Sequence, residues 1–178
     1  FFISLIMDLI ISFLFISIIG TLFHFTYDYF KHNKVALIFS AVNESVWEHI
    51  KMGLSSALLF SIFDGFKYGK VGTYFFAKSI SLLMIILIIP ILFYGCKLLF
   101  KRSFLVIDIL IFYIATFASS YSFFYIIRNI KEIYILNYIG SIILFIIFGS
   151  YLLLTIWPPK NELFLDPITK KYGLGSKK

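Results

Sequence analysis

Asn43-Glu44-Ser45-Val46-Trp47-Glu48-His49-Ile50-Lys51 sets four ionisable side chains within eight residues of a chain otherwise rich in Phe, Ile and Leu. A charge at the centre of a bilayer costs roughly 2.5–3.5 kcal/mol on insertion scales, so such residues belong at a membrane face or against partners inside a bundle. The surroundings of the stretch are a membrane protein's. The 178 residues are 61% hydrophobic and 14% charged, whereas a soluble domain carries about 45–50% apolar and 25% charged residues. A net charge of +7 would point to nucleic acid in a soluble protein. Here the basic residues lie between apolar runs and read as topology signals, so no nucleic-acid partner is expected. The single cysteine, Cys96, excludes an internal disulfide and a multi-cysteine metal site.

Outward from the stretch, the chain reads as an all-α polytopic membrane protein with five transmembrane helices in a single bundle over residues 1–157, and a cytoplasmic tail over 158–178. An apolar run over 1–23, interrupted by Asp8, is too long for a signal-peptide core and reads as a retained span, with His24 and Asp28 in its last turns. Asp8 has no partner evident in the sequence. A basic connector through Lys31, His32 and Lys34 leads to Val35–Phe39, too short to cross and suited to the interface. The second helix starts near Ser45, where Ser45 and Glu48 fit a capping box, and continues past Phe63 to a glycine-containing loop at 64–72. The third covers about 74–94 with a kink expected at Pro90, the fourth about 104–127, and the fifth about 133–156, ending at Trp157-Pro158-Pro159. Leu163-Phe164-Leu165 gives the tail an apolar segment able to dock on the bundle.

Five crossings put Lys31, Lys34, Lys97, Lys101, Arg102, Lys160, Lys170, Lys171, Lys177 and Lys178 on one side and Lys67, Lys70, Arg128 and Lys131 on the other. Ten against four places the tail in the cytoplasm and predicts a multi-pass protein of the cytoplasmic (inner) membrane. His24, Asp28, Glu44, Glu48, His49, Lys51, Asp108 and Asp166 then gather at the cytoplasmic side. Helical spacing aligns Ser17, Thr21, His24 and Asp28 on one stripe, Glu44, Glu48, Lys51 and Ser55 on another, and Asp108, Ala115, Ser119 and Ser122 on a small polar face.

Three chemistries suit that gathering. His24, Asp28, Glu48 and His49 supply the donors of a first shell for zinc or another divalent ion. Glu48 and His49 can instead serve as general base and acid, with Asp108 orienting a histidine. The third is neutralisation at the membrane edge, through Glu44–Lys51 and Glu48–Lys51 pairs. Plainer readings exist for each residue. Glu44 and Glu48 suit a helix N-terminus, Lys51 can snorkel, Trp47 can anchor at the interface, and His32 is a solvated loop residue. His24 and His49 can hydrogen-bond between helices, and Cys96 is a lone interfacial thiol.

Resemblance adds a family. His24-Phe25-x-Tyr27, the run Ala41–Lys51, Arg102-Ser103-Phe104-x-x-x-Asp108-Ile109-Leu110, and Pro158-Pro159 with Phe164-x-Asp166-Pro167-x-Thr169-x-x-Tyr172-Gly173 resemble a family of small bacterial membrane proteins of unknown function. The resemblance spans nearly the whole chain, and its most distinctive motif is Asn-Glu-Ser-x-Trp-Glu-His. It implies a small helical membrane protein and no assigned activity. Phe23-His24-x-x-x-Asp28 is also similar to one short motif of intramembrane CAAX-type metalloproteases. Those enzymes need a Glu-Glu-x-x-x-Arg motif earlier in the chain, which is absent here. The expectation that results is a membrane-embedded hydrolase, metal-dependent or acid/base, acting on a lipid or a membrane peptide. Glu48, His49 and Asp108 would be catalytic, and His24, Asp28, Glu48 and His49 would be metal ligands. Two alternatives stand beside it: a proton or cation transporter, and a structural partner of another membrane protein.

Overall fold

Leu5, Ser12, Ile16, Gly20 and Tyr27 recur at spacings of seven and four residues, and they form the buried stripe of the first helix, α1 (Phe2–Tyr29). The remaining elements of this computed structural model are α2 (Lys34–Phe39), α3 (Val46–Tyr68), α4 (Tyr74–Phe100), α5 (Leu105–Asn129), α6 (Tyr134–Ile156) and a 3₁₀ turn at Gly173–Ser176. The structure describes residues 2–31, 33–101 and 104–176. The expectations for His32, Arg102, Ser103, Lys177 and Lys178 fall outside them. Among the described residues the architecture is all-helical, apart from one antiparallel bridge between Leu165 and Tyr172.

The helices α1, α4, α5 and α6 are long and apolar enough to cross a membrane. The sequence predicted a fifth crossing, and its place is taken by α3, a different kind of helix. It carries Glu48, Lys51, Asp64 and Lys67, and it buries 13 of its 23 residues. At 1.5 Å per residue it is about 34 Å long, comparable with a bilayer core. It holds charge because most of that charge faces protein. Glu48 pairs with Lys51, and Asp64 pairs with Lys78 of α4. The expected loop at 64–72 is therefore corrected: α3 runs on to Tyr68 and is capped at Gly69, since Asp64 finds its partners, Tyr74 and Lys78, across α4. Helix α4 is unbroken through Pro90.

Ile50, Leu54 and Ala57 of α3 form the centre of the core, against Ile85 and Ile89 of α4, Phe112 and Ala115 of α5, and Ile147 and Tyr151 of α6. Small residues allow the close approaches. A Cβ on Gly140 would sit 2.3 Å from the Phe76 backbone nitrogen, so α4 and α6 touch there through backbone. Three residues earlier, Asn137 Oδ1 accepts the Phe75 N–H at 2.7 Å and satisfies one orphan amide of the first turn of α4. Hydroxyl pairs join the other helices. Ser12–Ser120 and Ser17–Thr116 link α1 to α5, Ser81–Ser119 links α4 to α5, and Ser55–Tyr151 links α3 to α6.

The tail docks as its apolar residues suggest. Phe164 is buried against Trp47, with ring centroids 5.1 Å apart, and Leu163 O accepts the Trp47 N–H at 2.9 Å. Trp47 is thus a core residue beneath the tail, not the interfacial anchor its type suggested. Asp166 shapes the tail itself, accepting from the Ile168 N–H and the Thr169 hydroxyl.

Candidate metal centre

The segment 40–45 between α2 and α3 is held from several directions, and that is what positions Glu44. Asn43 Oδ1 accepts the Ser45 N–H at 2.9 Å, and Asn43 Nδ2 donates to Gly173 O of the tail at 3.2 Å. Ala41 N–H donates to Phe23 O of α1, and Val42 N–H donates to Glu48 Oε2 at 2.9 Å. Residue 44 therefore lies beside the last turns of α1.

His24 belongs to the same buried stripe as Ile16 and Gly20, four residues further on, so its ring turns toward the bundle. Its Nε2 lies 3.3 Å from Glu44 Oε2. The His24 and His49 ring centroids are 6.0 Å apart. One donor atom each from His24, Glu44 and His49 falls within 4.8 Å of the others, all three side chains being half-buried. Two donors each about 2.0–2.2 Å from a shared ion stand up to roughly 4.4 Å apart, so a small side-chain adjustment makes this a ligand set. Two imidazoles and one carboxylate are a donor chemistry that zinc and other divalent transition metals accept.

His49 is also oriented. Its Nδ1 lies 2.9 Å from Ser45 O, and since a carbonyl only accepts, Nδ1 carries the proton. In the neutral ring this tautomer leaves the Nε2 lone pair for a ligand, the arrangement found in ligating histidines whose other nitrogen is held by a carbonyl. Asp108, half-buried at the start of α5, lies within electrostatic range of His49.

The cluster thus joins His24 and His49, as the spacing of polar residues suggested, but its carboxylate is Glu44. Glu48 is occupied elsewhere. Its Oε2 lies 2.6 Å from Lys51 Nζ, with both side chains almost fully buried, and it also accepts the Val42 N–H. Ser45 sits at the N-cap of α3 without a side-chain cap bond, so the expected capping box does not form; Glu48 turns toward Lys51 and Val42 instead. Lys51 does not snorkel. Its ammonium points inward and donates to Leu37 O of α2 at 3.1 Å as well as to Glu48. Asp28 lies one turn beyond His24 on the exposed rim of α1. Asp8 finds its partners at the other end of the bundle: Lys67 Nζ, 2.6 Å from Oδ2, and the Tyr68 hydroxyl.

Two features escaped the sequence reading. From sequence Glu44 reads as a cap or charge-pairing residue, and the signal that a turn sets its direction is Asn43, whose side chain accepts the Ser45 N–H two residues on. The Asp64–Lys78 pair was hidden by the loop expected at 64–72. Neither the curated proteins nor the solved structures include a match to this chain. One family profile matches residues 4–174, and the chain accordingly belongs to a family of unknown function, DUF6512.

Proposed function

We propose that this chain is an integral membrane metalloprotein in which His24, Glu44 and His49 hold one divalent cation, zinc being the first candidate, and that it hydrolyses a lipid or a membrane peptide. The convergence of two imidazoles and a carboxylate from α1, the 40–45 segment and α3 supports this reading more than any other observation. A three-ligand site leaves a coordination position for water, which a bound metal would activate as a nucleophile at neutral pH. Asp108 is the candidate positioning residue for His49, and Asp28, one turn beyond His24, is a candidate additional ligand. Glu48 supports the site by fixing Val42 and Lys51. In this reading α3 is the fifth crossing, residues 158–178 are the tail, and the ten-to-four basic asymmetry supports a metal end at the cytoplasmic face of a bacterial inner membrane.

Elemental analysis of the purified protein, with and without chelator, tests the site. About one divalent ion per chain is expected, lost in His24→Ala and His49→Ala variants that still fold. Hydrolysis of labelled lipids and peptides in detergent, dependent on that ion, then tests the activity. Absence of any retained or rebound divalent ion would overturn both.

A second reading, proton or cation translocation, draws on a different observation. Hydroxyl pairs between α1 and α5 line the way from His24 toward Asp8, and buried ion pairs stand at both ends of α3. Proton or metal flux into proteoliposomes separates the two, since a hydrolase supports none.

A further inference from the structure

A slot of about 220 Å³ lies between α1 and α3, toward the end of the bundle opposite the His24–Glu44–His49 cluster. Ile11 and Phe15 of α1, Phe60 and Phe63 of α3 and Phe124 of α5 form its walls. The ring centroids of Phe15, Phe60 and Phe63 stand 5.2, 5.7 and 5.9 Å apart, within the range at which aromatic rings attract one another edge-on or offset. Ile11 and Phe63 are exposed, so the slot is reached from the side of the bundle. Its volume falls below the roughly 300–1,000 Å³ of sites for drug-sized ligands and suits a small molecule with one bulky apolar group.

Asp8, Asp64, Lys67 and Tyr68 supply the polar lining. Asp64 is fully engaged, its two oxygens accepting from the Tyr74 hydroxyl and the Lys78 ammonium. Asp8 is half engaged. Its Oδ2 accepts from Lys67 Nζ at 2.6 Å and from the Tyr68 hydroxyl, and its Oδ1 has no hydrogen-bond partner among the described residues. Lys67 gives one N–H to that pair, its side chain remains 51% exposed, and an ammonium has three donors. The polar end of the slot therefore offers a free carboxylate oxygen beside free ammonium donors. The charges cancel, Asp8 against Lys67 and Asp64 against Lys78.

We infer that this slot binds a zwitterionic α-amino acid with a large apolar side chain, its ammonium at Asp8 Oδ1, its carboxylate at Lys67 and its side chain among the phenyl rings. A singly charged ligand meets one attraction and one repulsion here, of similar size because the two fixed charges are only 2.6 Å apart. A zwitterion lies antiparallel to the Asp8–Lys67 pair and is attracted at both ends. In an α-amino acid the two charges flank a single carbon, about as far apart as those of the pair, and the side chain on that carbon is left to enter the slot. A small zwitterion would leave the rings uncovered, and an uncharged apolar molecule would leave Asp8 Oδ1 and the Lys67 donors unanswered. The site is independent of the proposed hydrolysis, and its test requires no bound cation.

Purified full-length protein in detergent is titrated with L-phenylalanine by isothermal calorimetry. Phenethylamine, 3-phenylpropionate and glycine, which lack the carboxylate, the ammonium and the ring in turn, are titrated in parallel. One L-phenylalanine per chain should bind saturably, with each of the other three at least about tenfold weaker. Asp8→Asn/Lys67→Gln should weaken L-phenylalanine at least about tenfold. Ile11→Trp, which fills the slot from an exposed position, should weaken it as well. Circular dichroism melting confirms that each variant folds, with Lys67→Gln alone and Ile11→Phe as the milder changes where one does not. Equal binding of phenethylamine or of 3-phenylpropionate would overturn the proposal in favour of a simple cation or anion site, and equal binding of glycine would remove the slot from it. Absence of saturable binding would overturn it outright. An amino acid can also chelate a divalent cation, so binding that survives Asp8→Asn/Lys67→Gln but is abolished by chelator would assign the ligand to the other end of the bundle and refute the slot.

Discussion

Glu48→Gln isolates the ion pair beneath the His24–Glu44–His49 cluster. The glutamine carbonyl can still accept the Val42 N–H, so the 40–45 segment keeps that tether. What is lost is the anion 2.6 Å from a lysine whose side chain has no solvent exposure. Lys51 keeps Leu37 O as a partner, but a carbonyl dipole does not replace a carboxylate. Removing one member of a buried pair costs about 3–5 kcal/mol, because the other charge stays buried and uncompensated. For a chain of this size each kcal/mol moves Tm by roughly 2–4 °C, so a fall of about 6–20 °C is expected in circular dichroism melting. The double variant Glu48→Gln/Lys51→Met should recover most of it, since a buried pair replaced by apolar groups is often close to neutral. The double variant should also retain bound metal, because His24, Glu44 and His49 are untouched. Two results would refute the reasoning. A double variant as unstable as the single one would show that uncompensated charge is not the cause. A folded double variant without metal would return Glu48 to the ligands.

Asp108→Asn should keep the fold and weaken bound metal about 10–100-fold, read by competition with a chelating dye, if Asp108 acts on His49; unchanged affinity would leave it a structural residue. Gly140→Ala should lower the melting temperature, because its Cβ would meet the Phe76 backbone nitrogen at 2.3 Å and the two helices must separate, at a cost of about 1–3 kcal/mol. Cys96 should react with a membrane-impermeant maleimide only after the inner face is opened, and its labelling in intact cells would reverse the orientation. Phe164→Ala should expose Trp47 and shift its fluorescence to the red, and an unshifted spectrum would mean that the tail does not cover it.

Apolar runs of about 20 residues made the long helices legible, because hydrocarbon demands internally bonded backbone and few charges. The gathering of His24 and His49 was legible for a related reason: the alternation of crossings places helix ends at one depth. Contact-dependent features were not. Whether Lys51 snorkels or buries depends on Glu48 and on Leu37 O lying within reach, and fourteen residues separate Lys51 from Leu37. Asp64 reads as a loop residue until Lys78, on the next helix, is seen to face it. Choosing between Glu44 and Glu48 as the third donor required the Asx turn at Asn43, a matter of backbone direction that residue spacing along an ideal helix does not capture.

The tail's grip on the start of α3 imposes an order on biogenesis. Trp47 N–H finds its acceptor in Leu163, Asn43 donates to Gly173, and Ser55 meets Tyr151, whose hydroxyl also donates to Ile38 O. A ribosome makes those partners about a hundred residues after α3 itself. Until they emerge, the helix bearing the bundle's interior charges has an unsealed end, and the segment carrying Glu44 lacks its anchor to residue 173. The cluster of His24, Glu44 and His49 therefore matures last, and a nascent chain stalled before residue 163 would hold all three side chains without the scaffold that brings them together.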